Sequence, residues 1–231
     1  MSDLQKFTDF LKNIDLKHYR SQYSQIKIVE MDLPKSIQAI YLLYKVYWDE
    51  KNFLNFEKFY ERYLNERGSL IESFRIKTTM CEGCFSRGIK ARIYRTWAGL
   101  ITQIHAGYVA EFVFGQGTVQ MSPELDSLGA DIRVNYKKHI LNYQVKKSSY
   151  SGVMSRRPLP RKKITLGEPI DIYYEVPNSN LFDNPKKING QLRKGYERFT
   201  NDKRLTRLPN GFIIFAPETF SPKKKEIDSE A

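Results

Sequence analysis

The stretch Asp131–Lys146, DIRVNYKKHILNYQVK, decides the fold. Ile132, Val134 and Tyr136 alternate with Asp131, Arg133 and Asn135, and further on Leu141, Tyr143 and Val145 alternate with Asn142, Gln144 and Lys146. A period of two is that of a half-buried strand. Lys137, Lys138 and His139 between the two runs make a turn of ordinary length, so the segment reads as a hairpin with one apolar face. Gln144 and Lys146 are two apart and project to one side, and an antiparallel partner brings Asp131 opposite one of them. A carboxylate, an amide and an amine then converge. Asp131 can ligate Mg²⁺, the Gln144 amide oxygen can be a neutral second ligand, and Lys146 can position or deprotonate water or neutralise charge on a reacting phosphate.

Upstream of the hairpin the period is helical. Ile89, Ile93, Trp97, Leu100, Ile101, Ile104 and Tyr108 form one face of a helix expected over about Ile89–Phe114. At about 100° per residue Glu111 falls inside that apolar stripe. A carboxylate buried there needs a cation, a metal or a donor. The alternative is that the stripe ends a turn earlier and Glu111 is exposed near the helix end. Gly115, Gly117 and Pro123 then separate helix from hairpin. The N-terminal third also reads helical, with Ile37, Ile40, Tyr41, Tyr44 and Tyr47 in Ser36–Glu50 and Phe59, Tyr60 and Tyr63 in Phe56–Asn65; these aromatic stripes are expected to be core. Downstream, a strand is expected at about Ile170–Val176, a helix at Gly190–Thr200 and a strand at Gly211–Ala216. The order predicts an α/β protein. Its expected organisation is a helical N-terminal portion (1–80), a core with basic loops (81–220) and a disordered polar tail (221–231).

Charge points to the partner. The 231 residues carry 38 Lys and Arg against 26 Asp and Glu, a formal net charge of +12. Residues 1–80 hold 13 bases and 11 acids, so the excess belongs to the rest of the chain. Between Asp131 and Glu168 there is no acid at all, while Arg133, Lys137, Lys138, Lys146, Lys147, Arg156, Arg157, Arg161, Lys162 and Lys163 occur. Such a stretch suits a phosphate backbone. Lys147, Arg156, Arg157, Arg161, Lys162, Lys163, Arg193 and Lys194 are the expected DNA-binding residues. Asn178, Asn180 and Gln191, with some of the arginines, are candidates for reading base edges. The longest nearly charge-free apolar stretch, Trp97–Ala110, is too short to span a bilayer, and no signal peptide is evident, so a cytoplasmic protein is expected. Cys81 and Cys84 form a single CxxC without the further ligands that zinc needs, and are expected to be reduced structural thiols. His18, His105 and His139 are scattered, and His105 reads as a helix flank or a satisfied core histidine. No GxSxG, Walker-type or GxGxxG motif is present.

Gly129-Ala130-Asp131, followed after twelve residues by Gln144-Val145-Lys146, resembles the motif of the PD-(D/E)XK nuclease superfamily. The helix carrying Glu111 stands where that superfamily often places another acid. Type II restriction endonucleases resemble the chain best, and Trp97–Glu111 with the hairpin is faintly similar to the MjaI-like enzymes. Ala130 stands where the motif has proline, and Gln144 where it has an acid, which leaves the metal site one negative ligand short. The resemblance implies a restriction-endonuclease-like mixed central sheet flanked by helices. It implies Mg²⁺-dependent cleavage of double-stranded DNA at a short specific site, leaving 5′-phosphates, with Asp131, Gln144, Lys146 and Glu111 catalytic and Asp131, Gln144 and Glu111 on the metal. A homodimer and a cognate DNA methyltransferase in the same system follow from that function. A structure-specific repair nuclease or junction resolvase, and a non-catalytic DNA-binding protein with a degenerate site, are the alternatives.

Overall fold

Side-chain caps start the N-terminal helices. Ser2, Asp15 and Asn55 accept the backbone N–H of Gln5, His18 and Lys58 and so open α1 (Asp3–Lys12), α2 (Leu16–Tyr23) and α4 (Phe56–Thr78). A computed structural model describes residues 1–148, 166–175 and 182–230 of the chain. Contacts divide it into two units, Met1–His105 with Leu208–Phe212 and Ala106–Arg207 with Ile213–Ala231. The division falls inside the long helix α5 (Glu82–Phe114), so that one helix contributes to both units.

In the first unit the aromatic stripes are core at Tyr44, Tyr47, Phe59, Tyr60 and Tyr63, as their spacing predicts, but Tyr41 is exposed because Leu42 and Leu43 take the buried positions beside it. Trp97, Tyr47, Tyr63, Phe56 and Phe59 are fully buried, and their polar atoms are paired within the core. Trp97 Nε1 donates to the Tyr47 hydroxyl at 2.7 Å, and Tyr63 donates to the Ile37 carbonyl at 2.6 Å. Pairing of this kind lets large rings be buried without stranded donors. The helix expected over Ser36–Glu50 is divided: a 3₁₀ turn at Lys35–Ile37, then α3 (Ile40–Tyr44), then a π-helical turn at Lys45–Asp49. Val46 and Tyr47 in the π-helical turn are both buried.

The second unit is built on a four-stranded mixed sheet in the order β1 (Val119–Gln120), β2 (Ile132–Tyr136), β3 (His139–Ser148), β4 (Glu168–Glu175). β1 and β3 flank β2 antiparallel, and β4 lies parallel to β3. The hairpin turn is tighter than expected: Tyr136 pairs with His139, leaving Lys137 and Lys138, with Lys137 at φ 51°. Ile132, Val134, Leu141, Tyr143, Val145 and Ile172 form the buried face. A short helix α6 (Pro123–Ser127) precedes β2, and after β4 come α7 (Lys194–Asn201) and the ribbon β5 (Leu205–Arg207) with β6 (Ile213–Phe215). The chain is thus α/β with a mixed sheet and a helical N-terminal region, as the sequence predicts.

The expected disordered tail is instead helix α8 (Ser221–Ser229). Two apolar side chains anchor it: Ile227 is buried, and Phe220 just before the helix packs edge-on against Tyr143 at 5.1 Å between ring centroids. Asp228 takes a hydrogen bond from Tyr136 and an ion pair from Lys137, tying the helix to the hairpin turn. The polar composition of 221–231 conceals these contacts.

Candidate active site

The start of β2 is held by the elements around it. Ser122 caps α6 by accepting the Leu125 N–H at 3.2 Å, Pro123 occupies its first turn, and the Ala130 N–H returns to the Leu125 carbonyl. This compact turn delivers Asp131 to the edge of the hairpin. Ile132 pairs with Tyr143, and Asp131, one residue earlier, donates its N–H to the Tyr143 carbonyl and accepts the Val145 N–H on Oδ2 at 2.6 Å. Asp131 therefore stands level with Gln144, the register the motif requires. The Gln144 amide lies over Gly129, with Nε2 3.9 Å from where a β-carbon on that glycine would be.

Asp131 is 5% exposed, and burial pushes its carboxyl up to about 7, against the Val145 N–H bond that favours the ion. A second cause is a carboxyl that sequence reasoning misses. Asp126, half-buried at the end of α6, meets Asp131 directly, and burial also raises it above the usual carboxylate range. The available signal is an acid five residues before Asp131, in a stretch that reads only as a turn after Pro123. Two carboxyls in contact cannot both ionise at low cost unless a cation joins them. That donor set suits a hard divalent ion, which binds oxygen ligands.

Lys146 shares the polar face and lowers the Asp131 carboxyl through its charge. Its Nζ lies 2.9 Å from Oδ2 of Asp171 on β4, a residue that sequence spacing could not reach because it stands 25 positions away. Parallel pairing sets Asp171 beside Gln144. Arg133, one of the ten bases of the acid-free stretch, donates Nε to Asn142 at 2.8 Å, and buried Asn142 donates in turn to the Leu166 carbonyl. That arginine ties strands together.

Glu111 has a donor waiting for it, though a backbone one: its carboxylate accepts the Gly117 N–H at 3.0 Å and closes the loop after α5. Among the described residues no group of three or more His, Cys, Asp and Glu is arranged to hold a metal, so Glu111 does not join Asp126 and Asp131 in such a group. Of the expected DNA-binding residues, Arg193 and Lys194 are exposed at the N-terminal end of α7. Arg156, Arg157, Arg161, Lys162 and Lys163 lie outside the described residues, as do Asn178, Asn180 and the side chain of Lys147. His105 is a core histidine: burial pushes its ring down to about 3, and Nε2 meets the Thr8 hydroxyl at 3.2 Å. Cys81 and Cys84 are free thiols, both exposed, and the Cys84 N–H donates to Cys81 Sγ at 3.3 Å.

A mixed sheet whose hairpin carries an acid, an amide and a lysine on one face has the restriction-endonuclease-like organisation. The TaqI restriction endonuclease family matches residues 4–224, and the chain belongs to that family. It is similar to the type II restriction enzyme TaqI of Thermus aquaticus, 31% identical over 222 residues, covering 92% of this chain and 83% of the relative. It is also similar to the type II restriction enzyme TthHB8I of Thermus thermophilus, 28% identical over 219 residues with the same coverages. No solved structure matches the chain. The chain is accordingly a type II restriction endonuclease, a site-specific deoxyribonuclease. The family is that of TaqI and not the MjaI-like group that Trp97–Glu111 resembles.

Proposed function

We propose that the hairpin face of Asp131, Gln144 and Lys146, completed by Asp126, is the catalytic site of a Mg²⁺-dependent endonuclease that cuts double-stranded DNA and leaves 5′-phosphates. The observation that carries this is the register that sets Asp131 level with Gln144 on the face of Lys146, with Asp131 Oδ2 taking the Val145 N–H at 2.6 Å. Asp126 and Asp131 would hold the ion, with the Gln144 amide oxygen as a neutral ligand. Asp126 then supplies the negative charge that Gln144 does not. Glu111 stays outside the set because it serves the loop after α5. A bound divalent ion would supply Lewis-acid polarisation of the scissile phosphate and make water a better nucleophile at neutral pH.

The chain's own groups do the rest. Lys146 orients the attacking water or meets a non-bridging phosphate oxygen with its ammonium. Water adds to phosphorus, the bond to the 3′ oxygen breaks, and that oxygen leaves as a hydroxyl while the phosphate stays on the 5′ side. Arg193, Lys194 and the bases between Lys147 and Lys163 hold the DNA backbone, which gives affinity without sequence information. A two-fold pair of chains cuts both strands of a palindromic site most simply, so the working form is a homodimer. A methyltransferase of the same system would protect the host's own sites.

The test is digestion of a viral genome with Mg²⁺ or with EDTA, followed by sequencing of the fragment ends. Discrete fragments sharing one short terminal sequence, with 5′-phosphates and only in Mg²⁺, support the proposal. Cutting that persists in EDTA contradicts it.

A further inference from the structure

We infer that Asp171 positions Lys146 for catalysis, an inference that rests on the site proposed above. The lysine is held from the neighbouring strand at two points. Asp171 Oδ2 lies 2.9 Å from Nζ and also accepts the Tyr173 hydroxyl at 3.0 Å, while Nζ stands 5.5 Å from the centroid of the Tyr173 ring. Asp171 and Tyr173 are two apart on β4, so both project from the face of the sheet that carries Lys146.

The pair is more than a loose surface contact. The Asp171 side chain is 18% exposed and that of Lys146 32%. An unrestrained lysine samples many rotamers, and the productive one is then a small fraction of the population. A carboxylate at the ammonium and a ring beside it remove most of those alternatives. The usual motif places an acid two residues before the lysine on the same strand; here that position is the uncharged Gln144. Parallel pairing sets Asp171 directly beside Gln144, so the negative charge next to the lysine comes from β4. Asp171 is placed to act through the lysine, because its carboxylate meets the Lys146 ammonium and the Tyr173 hydroxyl beside it. It is therefore a positioning residue.

The experiment uses the full chain on phage DNA that the wild-type protein cuts. Cleavage rate, KM for DNA and melting temperature are measured for Asp171→Asn, Asp171→Glu, Lys146→Ala and the double variant Lys146→Ala/Asp171→Asn. Asp171→Asn should lower kcat ten- to a hundredfold while KM changes less than threefold. Asp171→Glu, whose longer arm still reaches the ammonium, should recover much of the loss and guards against a variant that merely fails to fold. The double variant should be no slower than Lys146→Ala, because Asp171 works through the lysine. An Asp171→Asn protein that cuts at the wild-type rate or faster, or a double variant slower than Lys146→Ala by the full single-variant factor, overturns the inference. Lys146→Ala cutting at the wild-type rate would instead overturn the site itself.

Discussion

Asp131 carries opposed demands. Its carboxyl is pushed up to about 7 by burial and by Asp126, so the folded protein binds this proton more tightly than the unfolded chain does. Its contribution to stability is therefore present below the ordinary carboxylate range and lost as pH rises toward about 7. Asp131→Asn keeps an acceptor for the Val145 N–H and removes the charge. At pH 7.5 without metal it should melt several degrees above the wild type, since every tenfold difference in proton affinity between folded and unfolded chain corresponds to about 1.4 kcal/mol, while cleavage is abolished. A melting temperature at or below the wild type would mean that the carboxyl is not under strain. Glu111 should behave in the opposite way. Glu111→Gln keeps an acceptor for Gly117, so its stability should change by less than about 1 kcal/mol, with no shift in the Mg²⁺ dependence of cleavage. Activity regained only at raised Mg²⁺ would return Glu111 to the metal. Asp131, Gln144 and Lys146 are legible in the sequence because strand alternation aims side chains predictably. Asp126 and Asp171 stay hidden because a turn and a parallel pairing, neither of which has a local period, bring them in.

Elements fix where these residues stand, and β4 is the least forgiving. Gly167 precedes it at φ +91°, and a β-carbon there would lie 2.5 Å from the Ile140 carbonyl oxygen and 2.7 Å from Asn142 Nδ2. Gly167→Ala combines left-handed backbone strain with a clash against backbone, which together should cost about 2 kcal/mol or more. It should also slow cleavage, because the displaced strand carries Asp171. Thermal melting and cleavage assays check both, and a Gly167→Ala protein of wild-type stability and rate would show that β4 can shift freely. The hairpin, the long helix and the aromatic stripes are legible because burial on one face leaves a period. The π-helical turn at Lys45–Asp49 and the tail helix α8 are not, since the first departs from the 3.6-residue period and the second rests on two apolar side chains, Phe220 and Ile227, and on polar ties from Asp228 to the hairpin turn. The two-residue β1 is too short to show any pattern.

For the whole molecule, composition indicates the partner before any motif does. A net charge of +12 concentrated after residue 80 should make DNA binding strongly salt-dependent. Six phosphate contacts would weaken binding about 10³-fold between roughly 50 and 200 mM salt, readable by fluorescence anisotropy on duplex DNA in EDTA. A salt-independent affinity would move the binding energy away from the phosphates. Among the described residues no helix is long and apolar enough to cross a membrane. Charge alone, however, describes any DNA-binding protein, and what would make this one cut is the Asp126–Asp131 pair. Calorimetric titration of Mn²⁺ into the wild-type protein and into its Asp126→Asn/Asp131→Asn double variant tests that claim most directly. Saturable binding to the wild type and none to a folded double variant is the expected result; equal binding to both would contradict it.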